Sequence, residues 1–242
     1  RGPDDRGIWQ SECKKITLGH NRLSIIDLTD KARQPLVSKD NNLVITFNGE
    51  IYNYKEIKNE LSKNNVLFKS NSDTEVILES YKYWGVEFVK KLRGMFAFAI
   101  WDNNKKKLLL ARDPFGIKPL YYFKKNNILF FASQVKSILS IDNLSFEKSK
   151  RSVLDYYLWG NIQEPLTLYK DIYSLERGTV KIIDGKPLLG HVIEDIQKGN
   201  IFSHIIVSTE DKEIAKIAKK YGAEVPFVRP KKYATDTASM DE

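Results

Sequence analysis

A side-chain amide, a glycine N–H and a carboxylate follow one another at Asn48-Gly49-Glu50, at the end of an apolar, β-branched run over residues 43–47. An amide and a fixed N–H can hold an oxyanion as it develops, and a carboxylate can hold a substrate ammonium. The same three residues also make a plain turn between a strand and a helix. Arg22 has the planar fork that grips a carboxylate, which is equally the fork of an ordinary surface ion pair. Asp73 lies between Ser72 and Glu75, the spacing of a capping box, so a helix start favours its carboxylate with or without a ligand. Cys13, in the charged segment Ser-Glu-Cys-Lys-Lys, has no free α-amine beside it, and a lone cysteine without an activating partner is usually inert.

The elements that must carry these residues can be read from periodicity. Residues 1–9 look turn-like. Residues 16–26 alternate as two short strands broken by a polar turn at His20-Asn21-Arg22. Residues 43–47 form a strand that stops at the Asn48-Gly49-Glu50 turn. Residues 54–63, with Ile57 and Leu61 four apart, form an amphipathic helix. A brief strand at 66–68 precedes the helix 75–84, which Gly85 ends. Strands at 95–102, 107–112, 120–123 and 128–132 are joined by turns at Asp102-Asn103-Asn104 and Asn126-Asn127, so the sheet is antiparallel. A helix at 149–159, a loop at 165–173 and a strand at 179–183 follow. Two stacked antiparallel sheets covered by helices make an α+β arrangement. Beyond Gly185 the pattern changes to a helix at 188–197, a strand at 204–208, a helix at 211–221 and a strand at 225–228. That is a β-α-β unit, which calls for a parallel sheet, so a boundary is expected between 1–184 and 185–242.

Composition bounds the rest. A chain of 242 residues with 42% apolar and 12% aromatic side chains can bury one large core or two small ones. No apolar run approaches a membrane span, so no membrane partner is expected. The net charge of +8 is spread over many turns and helices. Lys105-Lys106-Lys107 and Lys231-Lys232 lack interleaved aromatics, so they read as solvated and no nucleic acid is expected. One cysteine excludes an internal disulfide, and His20, His191 and His204 are not spaced as metal ligands, which points to a reducing cytoplasm and no zinc site. The first residue is Arg rather than Met and no signal-peptide layout follows, so a chain cut or processed at its start is expected.

Ordered blocks then carry a resemblance. RGPDD at 1–5, LGHNRLSIIDL at 18–28, FNGEIYNYKE at 47–56, SDTEVIL at 72–78, GMFAFAIWD at 94–102 and ARDPFGIKPLYY at 111–122 resemble the glutamine amidotransferase domain of asparagine synthetase. The resemblance runs from residue 1 to about 183. It implies a class II, N-terminal-nucleophile amidotransferase with a four-layer αββα fold whose first strand is absent here. It also implies roles: Arg22 for the glutamine α-carboxylate, Asp73 with help from Glu50 for the α-ammonium, and Asn48 with the Gly49 N–H as the oxyanion hole. The family's nucleophile is a cysteine at the mature N-terminus whose own α-amine serves as the base, and it would lie upstream of RGPDD. Without it the chain is expected to be inactive, and the sheet edge left open is expected to favour association into oligomers. Gln134 stands where the family usually has Glu. No SGG-type pyrophosphate loop occurs, so ATP and magnesium are expected only with the family's synthetase domain and no cofactor is expected in this chain.

A second resemblance begins near the boundary. Residues 185–196 and 204–239 are similar to the first half of a CMP-sialic acid synthetase-type cytidylyltransferase, which activates an acidic sugar with CTP. In a full domain of that kind, Arg229 and residues 235–239 would line a nucleotide pocket. Asp184-Gly185-Lys186 fits either family, as a fusion at a shared short sequence would leave it. Three readings stand: a glutamine-hydrolysing enzyme supplying ammonia for amide synthesis on aspartate, a non-catalytic amino-acid-binding remnant, and a sugar-activating nucleotidyltransferase fragment.

Overall fold

The computed structural model describes residues 2–23, 26, 29, 32–183, 193, 196–197, 199 and 202–230. The chain divides into two compact units, Arg1–Asp184 and Gly185–Glu242.

In the first unit β1 (Asp5–Gln10) and β2 (Thr17–Arg22) form a hairpin. β3 (Leu36–Val37), β4 (Leu43–Ile51), β5 (Gly94–Asp102), β6 (Lys107–Arg112) and β10 (Val180–Ile183) make a five-stranded sheet in the order β10-β6-β5-β4-β3. β7 (Tyr121–Lys125), β8 (Ile128–Ala132) and β9 (Ile172–Ser174) make a three-stranded sheet with β7 in the middle. All of these pairings are antiparallel.

Alternation along β5 explains the layering. Phe96, Phe98 and Ile100 point to one face, where they pack with Ile57 and Leu61 of α1 (Tyr54–Lys63) and Val76 and Ile77 of α2 (Asp73–Trp84). Ala97, Ala99 and Trp101 point to the other, where they meet Leu18 of the hairpin, Leu120 just before β7, and Tyr122 and Phe131 of the small sheet. The far face of the small sheet is closed by Ile138 of α3 (Val135–Leu139), packed with Phe123 and Ile172. The order is helix, sheet, sheet, helix, the α+β four-layer arrangement that the resemblance implies. A further helix, α4 (Lys150–Trp159), starts at Ser149, whose Oγ accepts the Ser152 N–H.

Four local expectations are corrected. The Asn48-Gly49-Glu50 stretch is no turn: β4 runs through it, pairing with β5 from Leu43 opposite Asp102 to Ile51 opposite Gly94. Glycine is needed there for close approach, since a Cβ on Gly49 would lie 2.2 Å from the Met95 carbonyl oxygen. Residues 5–10 are a strand and His20-Asn21-Arg22 belong to β2, because each finds its partner across the hairpin, Gly7 opposite His20 and Asp5 opposite Arg22. Residues 66–68 form no strand; the Val66 N–H bonds back to the Leu61 carbonyl at 3.2 Å. The Asn126-Asn127 turn is as expected, with φ of 49° and 59°, the left-handed pair that a two-residue hairpin requires.

The corner after β6 is held by buried charge. Asp113 is fully buried and accepts N–H groups from Phe96, Phe115, Ile117 and Lys118. Burial raises its pKa, but these donors outweigh it and keep the carboxyl below its usual range. Arg112 donates to the Lys118, Gly116 and Leu175 carbonyls, to Ser174 and to Glu164.

In the second unit α5 (Lys212–Lys220) is capped by Asp211, which accepts the Glu213 and Ile214 N–H groups. Isolated parallel bridges join Ile206 to Glu224 and Thr209 to Val228 on either side of it, the parallel sense of a β-α-β unit, although no continuous strand forms over 204–208 or 225–228. Ala215, Ala218, Ala223, Val225 and Ile193 form its core. The helix expected at 188–197 lies outside the described residues except at 193, 196 and 197, which are helical.

Candidate active site

A cavity of about 1230 Å³ opens in the first unit, and Arg22, Asn48, Gly49 and Asp73 all line it. They come from three elements: β2, β4 and the first turn of α2. Glu50 is half-buried on β4 and is not on the cavity wall.

The edge of β4 decides what the cavity can bind. β3 pairs with β4 only at Val44 and Ile45, so among the described residues this edge has no strand beside it beyond Ile45. The Phe47 N–H is taken by Gln34 Oε1 at 2.6 Å and the Ile51 N–H by Asp73 Oδ2 at 3.1 Å. Backbone direction alternates along an unbroken strand, so the Gly49 N–H points to the same edge, between those two. Asn48 is exposed on the cavity wall, and its side chain has no hydrogen-bond partner among the described residues. A strand N–H and a side-chain amide thus stand side by side, facing open space.

Arg22 closes the end of β2, buried to 8% exposure, with Nη1 donating to the Thr29 carbonyl at 3.2 Å. His20, two residues earlier on the same wall, is hydrogen-bonded through Nδ1 to Thr46 Oγ1 at 3.1 Å. Burial, and then the Arg22 charge, lower its pKa to about 4, so it is neutral at pH 7. It adds no second cation beside the guanidinium.

Asp73 is 5% exposed at the first position of α2. Burial raises its pKa to about 6 against the Ile51 and Thr74 N–H groups, with the Glu50 charge a smaller contribution in the same direction. A carboxylate so costly to ionise gains from any cation that enters the cavity. The helix behind it is secured by Glu75, which accepts from the Ser70 and Lys69 N–H groups and from Ser70 Oγ, while Ser72 Oγ caps the Glu75 N–H. The side chain of Glu75 therefore reaches past the N-cap to the preceding loop, a longer version of the expected box.

Sequence reasoning passed over Gln34, His20, Thr46 and Thr74, which share the cavity wall. Their signal was weak because each is an ordinary polar residue, and only tertiary pairing brings them to the same space. Cys13 is exposed near the β1–β2 turn, with Sγ 3.4 Å from Ser11 Oγ, and is not on the cavity wall. The Ser11 hydrogen bond lowers its pKa. Gln134 precedes α3 and also faces the cavity. In the second unit Arg229 is paired with Glu210 at 2.9 Å, and residues 235–239 lie outside the described residues. Among the described residues no helix is long and apolar enough to cross a membrane.

A family profile described as glutamine amidotransferase domain matches residues 1–189, and one described as cytidylyltransferase matches residues 179–242. The chain is 44% identical over 179 residues to the glutamine-hydrolyzing asparagine synthetase 1 of Bacillus subtilis (strain 168), covering 74% of this chain and 28% of that protein. It is 38% identical over 202 residues to a putative glutamine-hydrolyzing asparagine synthetase 2 of Methanocaldococcus jannaschii, covering 76% of this chain and 39% of that protein. The chain thus spans well under half the length of these relatives. A solved structure described as the allosteric regulatory enzyme of purine biosynthesis is similar at 16% identity and a TM-score of 0.47, covering 92% of this chain and 55% of that one.

Proposed function

The chain belongs to the glutamine amidotransferase domain family over residues 1–189, and from that premise we propose that its first unit binds L-glutamine across the cavity. In this reading Arg22 forks onto the α-carboxylate and Asp73 holds the α-ammonium. The side-chain amide reaches toward Asn48 and the Gly49 N–H, which receive the charge that gathers on its oxygen as the carbon becomes tetrahedral. The observation that carries the reading is the open edge of β4, where the Gly49 N–H stands between bonds to Gln34 and Asp73. Glu50, off the wall, acts on Asp73 only through its charge.

Amide cleavage also needs a nucleophile, and the family's is an N-terminal cysteine with a free amine. Residues 1–242 tested alone hold one cysteine, exposed Cys13, away from the cavity wall. They therefore bind glutamine without releasing glutamate. With a nucleophile supplied, the ammonia set free would serve an ATP-dependent amidation, of aspartate if the chemistry follows the named relatives. The domain organisation proposed is an amidotransferase domain over 1–184 and a partial cytidylyltransferase-like piece over 185–242. CTP binding by the second piece is the alternative, favoured only by the profile match and the parallel bridges.

Two assays on the full 242-residue chain test this. Calorimetry is expected to show saturable glutamine uptake, and a coupled glutamate assay to show none released. No uptake would overturn the recognition reading. Glutamate release that survives replacement of Cys13 would overturn the reading of the nucleophile.

A further inference from the structure

Gln34 has no role in the reading above, yet its side chain reaches β4 and α2, and its backbone lies against β1, the partner of the strand that bears Arg22. Its Oε1 takes the Phe47 N–H at 2.6 Å, replacing the strand that β3 does not extend, and its Nε2 lies 3.5 Å from Thr74 Oγ1, next to Asp73. Behind it, β1 passes so close that a Cβ on Gly7 would lie 2.0 Å from the Gln34 carbonyl oxygen. Its neighbour Arg33 is forked onto Asp5 of β1, Nε to Oδ2 at 2.6 Å and Nη2 to Oδ1 at 3.0 Å. Asp5 in turn stands opposite Arg22 across the hairpin. One residue therefore links the hairpin that bears Arg22, the strand that bears Gly49 and the helix that bears Asp73.

We propose that Gln34 is a positioning residue that fixes the separation between Arg22 on one side and the Gly49 N–H and Asp73 on the other. The inference rests on the cavity being the glutamine site. An amino acid is held in one pose for reaction only if its two charged ends and its amide meet partners at mutually compatible distances. Loss of Oε1 frees the Phe47 N–H toward the cavity, where it competes for ligand or water, and loosens the edge two residues from Gly49.

The test compares Gln34→Met, which keeps volume and removes both polar atoms, with Gln34→Glu, which keeps an acceptor for Phe47. It uses the full chain labelled with ¹⁵N, well below its unfolding transition. Without ligand, amide exchange at Phe47 is expected to be about tenfold faster in Gln34→Met and near wild type in Gln34→Glu. Glutamine affinity is expected to fall about tenfold in Gln34→Met, the loss of one well-placed hydrogen bond. In Gln34→Glu the added charge near Thr74 moves the acid limb of binding, and the Asp73 titration seen by NMR, to higher pH. A residue that only supports the fold would lower the melting temperature and leave folded-state affinity and the acid limb unchanged, which overturns the proposal. If the wild-type chain takes up no glutamine, the reading of the cavity fails, and unchanged exchange at Phe47 in Gln34→Met then overturns the brace as well.

Discussion

Replacing Asp73 with Asn should make the protein more stable and less able to bind its ligand. Burial raises the Asp73 pKa from 3.8 to about 6. A shift of about two units corresponds to about 3 kcal/mol between protonation states. The sign follows from linkage: a carboxyl whose pKa is raised on folding is fully stabilising below its unfolded value and loses that contribution as pH rises through its folded value. Wild-type stability from this group is therefore lost mostly between about pH 4 and 7. Asn cannot ionise, and its carboxamide oxygen can still accept the Ile51 N–H now bonded to Asp73 at 3.1 Å. The variant should gain on the wild type as pH rises, up to about 3 kcal/mol by pH 8. Urea unfolding followed by tryptophan fluorescence measures this in the first unit, which holds Trp9, Trp84, Trp101 and Trp159. A gap that does not widen with pH, or an Asn variant that is less stable at pH 8, would refute the reasoning and make Asp73 a structural anion.

Glutamine binding should weaken as pH falls through about 6, where Asp73 gains its proton, and calorimetry in buffers of different ionisation heat should show proton release on binding near that pH. Gly49→Ala should cost about 1–3 kcal/mol in urea unfolding, because the new Cβ would lie 2.2 Å from the Met95 carbonyl oxygen and one strand must move. Arg112→Met should cost about 3–5 kcal/mol by the same measurement, since it strips five acceptors of one buried donor group, yet it should leave the folded protein's glutamine affinity within about twofold.

The long hairpins were legible because their turn residues and alternation are local: Asn126-Asn127 and the Phe-Ala-Phe-Ala alternation of β5 state their structure in a few positions. The helices over Ile57 and Leu61 and after Ser72 were legible for the same reason. β1 and the course of β2 were not, since a strand such as Asp5–Gln10 exists through its partner and its own residues look turn-like. Asn48-Gly49 misled in a specific way. By itself the glycine signals a bend, whereas its use is to let β4 lie against Met95 and to leave an N–H open at an edge. The convergence of Arg22, Asn48, Gly49 and Asp73 could not be seen in their spacing at all. It was suggested by resemblance, and Gln34, which ties their elements together, carried no sequence signal.

The central claim is that the cavity holds glutamine by its two charged ends. Titration of the full chain at pH 7.5 with L-glutamine, and with the analogue lacking the α-amine, tests it most directly beside Arg22→Ala. The account predicts one saturable site for L-glutamine, with affinity lost in the variant by about tenfold or more and lost likewise for the analogue. Equal binding of L-glutamine by the wild type and Arg22→Ala would contradict it.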